Sequence, residues 1–143
     1  MSQSKEMLKI GIIGYGVVGK KRYSILKKYK QLKVVAASDI NIGSLSDLPK
    51  TVEKFSEYKE LLKHCACDIV FISVPNRFAA DATKMALKKG IHVFCEKPPA
   101  RSARELKPIQ NLVNQSKLKL KYGFNHRYHA STVSYTHLRA HET

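Results

Sequence analysis

Gly14-Tyr15-Gly16-Val17-Val18-Gly19 is a G-x-G-x-x-G loop, and what flanks it decides the fold. Before it runs Leu8-Lys9-Ile10-Gly11-Ile12-Ile13, short, apolar and β-branched in its second half, as a strand buried on both faces would be. After it, Val17 to Lys30 sets Val18, Ile25, Leu26 and Tyr29 at helical spacing with lysines on the other side, which predicts an amphipathic helix. A glycine loop between a strand and a helix has the context of a phosphate cradle. In that context Gly14 permits the tight turn, Gly16 lets the main chain approach a pyrophosphate, and Gly19 lets helix and strand pack closely. The free N–H groups at the helix start, near Val17 and Val18, face the phosphates along the favourable end of the helix dipole.

The next apolar run, Leu32 to Ser38, ends in Asp39, about 20 residues past the loop, where this fingerprint places an acidic residue. A carboxylate there accepts hydrogen bonds from the adenosine ribose hydroxyls and repels a 2′-phosphate. Ile40, Asn41 and Ile42 bring no cation to welcome that phosphate, so NAD is expected as cofactor over NADP. The alternative for Asp39 is a turn-forming aspartate after a strand.

The alternation continues along the chain. Thr51-Val52 is at most a short edge strand. Ser56 to His64 reads as a helix with Ser56 as N-cap. Asp68 to Val74 is the clearest buried strand, and Ala79 to Lys89 is a helix closed by Gly90. Ile91 to Cys95 is a strand. Ala103 to Ser116 is a helix that Pro108 would shorten or kink, and Leu118 to Tyr122 is an edge strand whose lysines alternate with apolar residues. Strands alternating with helices predict an α/β fold, a Rossmann-type doubly wound, mostly parallel six-stranded sheet.

Composition bounds the rest. With 143 residues the chain suits one domain, and at 43% hydrophobic and 26% charged it reads as globular and soluble. No run approaches the length of a membrane span, and Met1 to Lys9 lacks the apolar core of a secretory signal, so the expected compartment is the cytoplasm, without a membrane partner. Three cysteines fit a reducing compartment, and Cys65-Ala66-Cys67 beside His64 has no second ligand pair, so no metal is expected. The net charge of +15 raises nucleic-acid binding as an alternative. Yet the excess is mostly lysine dispersed over the helices, without interleaved aromatics for stacking on bases, so no nucleic-acid partner is expected.

Ligands of open parallel sheets lie beyond the carboxyl ends of the strands. That rule selects Ser73-Val74-Pro75-Asn76, Cys95-Glu96-Lys97-Pro98 and Gly123-Phe124-Asn125-His126-Arg127. With these three segments in order, residues Leu8 to about His129 resemble the N-terminal half of the glucose–fructose oxidoreductase / inositol dehydrogenase (Gfo/Idh/MocA) family. There a T-P-N-like turn, E-K-P and G-F/Y-N-x-R follow the fourth, fifth and sixth strands. The resemblance implies a dehydrogenase that moves a hydride between NAD and a secondary alcohol of a sugar, cyclitol or nucleotide-sugar. It implies that Ser73, Pro75 and Asn76 wall the cofactor pocket, and that Glu96 contacts the nicotinamide-side ribose or carboxamide. Lys97 would be catalytic as well as cofactor-binding, its ammonium bonding the substrate hydroxyl, and Asn125 and Arg127 would line the cleft. Without its flanking motif Lys97 would read as a surface lysine, and Arg127 reads nearly as well as a structural residue. A partner at the level of the full-length protein is a sugar-like small molecule, and the full-length protein is expected to be a homo-oligomer.

Two departures from the family are visible. Ala79 stands where the family often has a histidine, and the family's substrate domain is not expected within these 143 residues. The dinucleotide-binding domain is expected over 1–129, with 130–143 the start of a next segment. Val133 to Thr143 resembles an adapter-derived peptide found at the ends of truncated reading frames, so His137 and His141 are not taken as ligands despite their i, i+4 spacing. Such a chain is expected to bind dinucleotide without turnover. A non-catalytic dinucleotide-binding or regulatory module is the alternative, and it has no need of Glu96-Lys97-Pro98.

Overall fold

The apolar runs become six strands and the stretches between them four helices in the computed structural model, which describes residues 6–123. The strands are β1 (Leu8–Ile13), β2 (Leu32–Ser38), β3 (Glu53–Phe55), β4 (Ile69–Ile72), β5 (His92–Glu96) and β6 (Leu120–Gly123). They lie in the order β3-β2-β1-β4-β5-β6, and every neighbouring pair is parallel. The helices are α1 (Val17–Leu26), α2 (Tyr58–His64), α3 (Asn76–Lys88) and α4 (Ala103–Asn114), with a 3-10 turn over Ile42–Leu45. The order reverses between β1 and β4, and that is where an open α/β sheet has its crevice.

Period-two alternation splits the core into two layers. Val70 and Ile72 of β4 and Val93 and Cys95 of β5 pack with Leu61, Ala82, Ala86 and Ile109 from α2, α3 and α4. Ile10 and Ile12 of β1 pack with Ala37, Leu26 of α1 and Leu45 on the other face. Because β5 alternates, Phe94 and Glu96 point opposite to Val93 and Cys95, toward the α1 side, and this places a carboxylate within reach of α1.

Several boundaries differ from the sequence reading, each for a local reason. Helix α1 stops at Leu26, and its inward stripe is Gly19, Arg22, Tyr23 and Leu26. Val18, Ile25 and Tyr29 are 42%, 46% and 54% exposed, so of the four residues on the face inferred from spacing Leu26 alone turns inward. Gly19 dictates the orientation, because a helix packs closest where it has no side chain. Strand β3 begins at Glu53, one residue past Thr51-Val52, because Val52 is drawn into the core while Glu53–Phe55 pairs with Ala36–Ser38. Helix α2 starts at Tyr58 with Glu57 rather than Ser56 at its N-cap, and no side chain caps it. Helix α3 begins at Asn76, three residues early, because Pro75 at the N-cap already has a φ of −52°. Pro108 lies inside α4 without cutting it short. Strand β4 is shorter than 68–74, and β6 is the sheet edge that its lysines suggested. Residues 130–143, with the tail, His137 and His141, lie outside the described residues.

Candidate functional site

A cleft of about 480 Å³ opens at the carboxyl ends of β1, β2 and β4, lined among others by Gly14, Gly16, Asp39, Ser73, Pro75 and Tyr58. Its floor is the glycine loop. Gly14 has a φ of +90°, and a Cβ there would land on the Ser73 carbonyl, so the turn accepts no other residue. Its N–H donates to the Ser38 carbonyl at 2.8 Å, tying the loop to β2. At Gly19 a Cβ would collide with the Gly14 carbonyl, so α1 leaves the loop in backbone contact with it. Val17 and Val18 form the exposed first turn of α1, whose N-cap, Gly16, provides no side-chain cap. The amide donors of that turn therefore face open space.

Asp39 is held by the backbone. Its Oδ2 accepts from the Tyr15 N–H at 2.7 Å and its Oδ1 from the Asn41 N–H at 2.8 Å. These bonds point the carboxylate at the loop and leave each oxygen further lone pairs. On the facing wall the Ser73 Oγ is buried and has no hydrogen-bond partner among the described residues, an uncommon state for a buried hydroxyl. Asn76 is the first residue of α3 and is not among the cleft-lining residues, and Ala79 packs in the core at 1% exposure.

Two aromatic residues that spacing did not single out complete the wall. Tyr58 and Phe78 both line the cleft, their rings 6.5 Å apart and tilted. The Tyr58 hydroxyl donates to Asp81 Oδ2 at 2.6 Å. Burial first, and then this bond to a carboxylate, push the Tyr58 hydroxyl well above the usual phenol range. The signal available in the sequence was an aromatic at each of two helix starts, which reads equally well as core. Tyr15 is buried beneath the loop, its hydroxyl pushed up to about 12 chiefly by burial and then by Asp47.

Glu96 and Lys97 do not line this cleft. Glu96 ends β5, and Lys97 follows it, exposed and without a hydrogen bond or ion pair among the described residues. The Lys97–Pro98 bond is cis. Glu96 Oε1 takes the Arg22 Nε–H at 2.6 Å and a second donor, Arg22 Nη2, in an ion pair from α1. The guanidinium also lies over the Phe94 ring, 4.8 Å from its centroid. Asn125 and Arg127 lie outside the described residues. Among the described residues no group of three or more His, Cys, Asp or Glu could hold a metal ion, and no helix is long and apolar enough to cross a membrane.

The glycine loop, the acidic end of β2 and the strand order occur together in known proteins. Residues 8–124 match the model of the Gfo/Idh/MocA oxidoreductase family, NAD-binding Rossmann fold. The chain belongs to that family. It is 31% identical over 129 residues to the D-glucoside 3-dehydrogenase of Escherichia coli K12, a match covering 87% of this chain and 37% of that protein. With the D-xylose 1-dehydrogenase (NADP(+)) 2 of Haloferax volcanii it shares 26% identity over 137 residues, 92% of this chain and 42% of the other. The scyllo-inositol dehydrogenase of Lactobacillus casei, solved with NAD(H) and scyllo-inositol, superimposes with a TM-score of 0.79 at 29% identity over 95% of this chain and 42% of that one. This family member thus spans well under half the length of these relatives.

Proposed function

We propose that this chain is the dinucleotide-binding half of an NAD-dependent dehydrogenase acting on a secondary alcohol of a sugar, cyclitol or nucleotide-sugar. The observation that carries the reading is Gly16. Its φ of −83° suits any residue, and a Cβ there would meet nothing within 4 Å. The protein's own packing therefore gives no reason for glycine at this position, whereas a phosphate seated against the α1 N-terminus does. The unpartnered Ser73 hydroxyl in the facing wall supports the same ligand.

Bound nicotinamide supplies the hydride acceptor or donor. The chain's residues do the rest. The α1 amides hold the pyrophosphate, Asp39 accepts from the adenosine ribose diol, and Tyr58 and Phe78 flank the base. Ser73 and Pro75 wall the pocket, with Asn76 next to them at the start of α3. Glu96 and Lys97 serve the nicotinamide end, where the Lys97 ammonium donates to the substrate oxygen as negative charge develops on it. Asn125 and Arg127 complete that end. Asp39 favours NAD over NADP, against a single cation among the cleft-lining residues, Lys59. On the same reading the full-length protein is a cytoplasmic homo-oligomer with a sugar-like substrate and neither nucleic acid nor membrane as partner.

Calorimetric titration of the chain with NADH and NADPH tests this. Saturable binding with NADH preferred, weakened about tenfold or more in Asp39→Ala, is the expected result. Gly16→Val is expected to abolish binding while the fold persists. Preference for NADPH would overturn the reading of Asp39, and binding indifferent to both substitutions would overturn the site.

A further inference from the structure

The Arg22–Glu96 pair differs from the other ion pairs among the described residues. Lys20–Asp47, Glu60–His64 and Arg101–Glu105 each have at least one partner more than 50% exposed, whereas Arg22 and Glu96 are 25% and 12% exposed. Their separation of 74 residues joins the helix after the glycine loop to the last residue of β5. Two guanidinium donors converge on one oxygen, Oε1. The other oxygen, Oε2, faces Gly123, the register partner of Glu96 on β6, where a Cβ would come within 2.6 Å of it. Oε2 accepts no hydrogen bond among the described residues. Glu96 is thus held by Arg22, whose guanidinium lies over the Phe94 ring, and its other oxygen lies against bare β6 backbone.

We propose that Arg22 is a positioning residue for the nicotinamide end of the site. It holds Glu96 in place and, through Glu96, sets where the exposed Lys97 begins. The inference rests on the dinucleotide reading above. Its physical basis is that a largely buried carboxylate keeps one orientation only with a partner that satisfies it. Without Arg22, Glu96 would turn toward water, and the strand end carrying Lys97 would lose the ion pair that ties it to α1. The helix that receives the pyrophosphate at its N-terminus would then no longer be coupled to the lysine that faces the substrate.

The test separates the two ends of the ligand. ADP carries the adenosine ribose and both phosphates but nothing beyond them, while NADH adds the nicotinamide riboside. Titrated calorimetrically, Arg22→Ala is expected to weaken NADH about tenfold, in keeping with loss of a charge-assisted bond, and to leave ADP within about twofold of wild type. Arg22→Lys, which keeps the charge and one donor, is expected to recover part of the NADH loss, and it supplies the same comparison if Arg22→Ala does not fold. Equal loss of both ligands would make Arg22 a packing residue of α1, and unchanged NADH binding would leave it no role at this end. Either result overturns the inference while the dinucleotide site stands. A wild-type chain that binds neither ADP nor NADH would overturn the dinucleotide reading itself.

Discussion

The two ends of the site are built from different materials. At the end proposed for the adenosine the backbone does most of the work: a positive φ at Gly14, helix amides behind Gly16, a helix seated on a carbonyl at Gly19, and an aspartate whose observed partners are main-chain N–H groups. At the end proposed for the nicotinamide side chains meet side chains across 74 residues of sequence. Backbone devices need particular residues at particular spacings, and spacing is what a sequence displays. A side-chain pair between elements leaves no such trace. The first end should therefore respond to added bulk, and the second to altered charge.

The largest effect should come from a methyl group. Gly19→Ala puts a carbon onto the Gly14 carbonyl, and neither backbone can withdraw without separating α1 from β1. A loss of more than about 3 kcal/mol is expected, beyond ordinary overpacking, read as the urea midpoint. Gly16→Ala, three residues earlier, meets nothing within 4 Å and should stay within about 0.5 kcal/mol of wild type. If both lose stability equally, Gly16 has a structural purpose after all and the contrast between fold glycine and ligand glycine fails.

Next in size is a pair on α1. Leu26 is 6% exposed and Ile25 beside it 46%. Leu26→Ala should cost about 2–4 kcal/mol, and Ile25→Lys less than about 0.5 kcal/mol, in thermal or urea unfolding. The reverse ranking would put Ile25 on the buried face in place of Leu26 and would turn Arg22 away from Glu96.

That helix shows where reading from sequence stopped. Five of the six strands, their alternation with helices, and the glycine loop with Asp39 about 20 residues on were legible because each is a local pattern with a local cause, whereas β3 lies just past the Thr51-Val52 that the apolar pattern offered. The stripe Gly19-Arg22-Tyr23-Leu26 was not, because its centre is a charged residue that counts as solvent-facing in any hydrophobicity pattern. Arg22 points inward only because β5 alternation brings Glu96 to the same face, a fact of register rather than of α1. Tyr58 and Phe78 were hidden for the opposite reason, since an aromatic at a helix start fits a core as readily as a base-binding wall. Asn125 and Arg127 fall beyond the described residues, so that part of the nicotinamide end stays a proposal from resemblance.

The smallest effect is the most direct check on that register. Cys95 precedes Glu96 and faces the α3 core at 0% exposure, its thiol raised from near 9.0 to about 11. Burial is the main cause, the Glu96 charge adds to it, and a hydrogen bond involving Thr83 works the other way. A raised value means that the folded chain keeps a proton which the unfolded chain releases. The contribution to stability is whole below about pH 9 and is lost as pH rises toward about 11. At neutral pH Cys95 should therefore alkylate more slowly with iodoacetamide than half-buried Cys65, as read by peptide mass spectrometry, with labelling following unfolding as the solution is made alkaline. A one-residue slip of β5 would exchange the two faces, bring Cys95 to the α1 side and bury Glu96 against α3. Rapid labelling of Cys95 in the folded chain would thus break the alternation that lets Arg22 reach Glu96, and with it the account of the nicotinamide end, while leaving the backbone-built adenosine end intact.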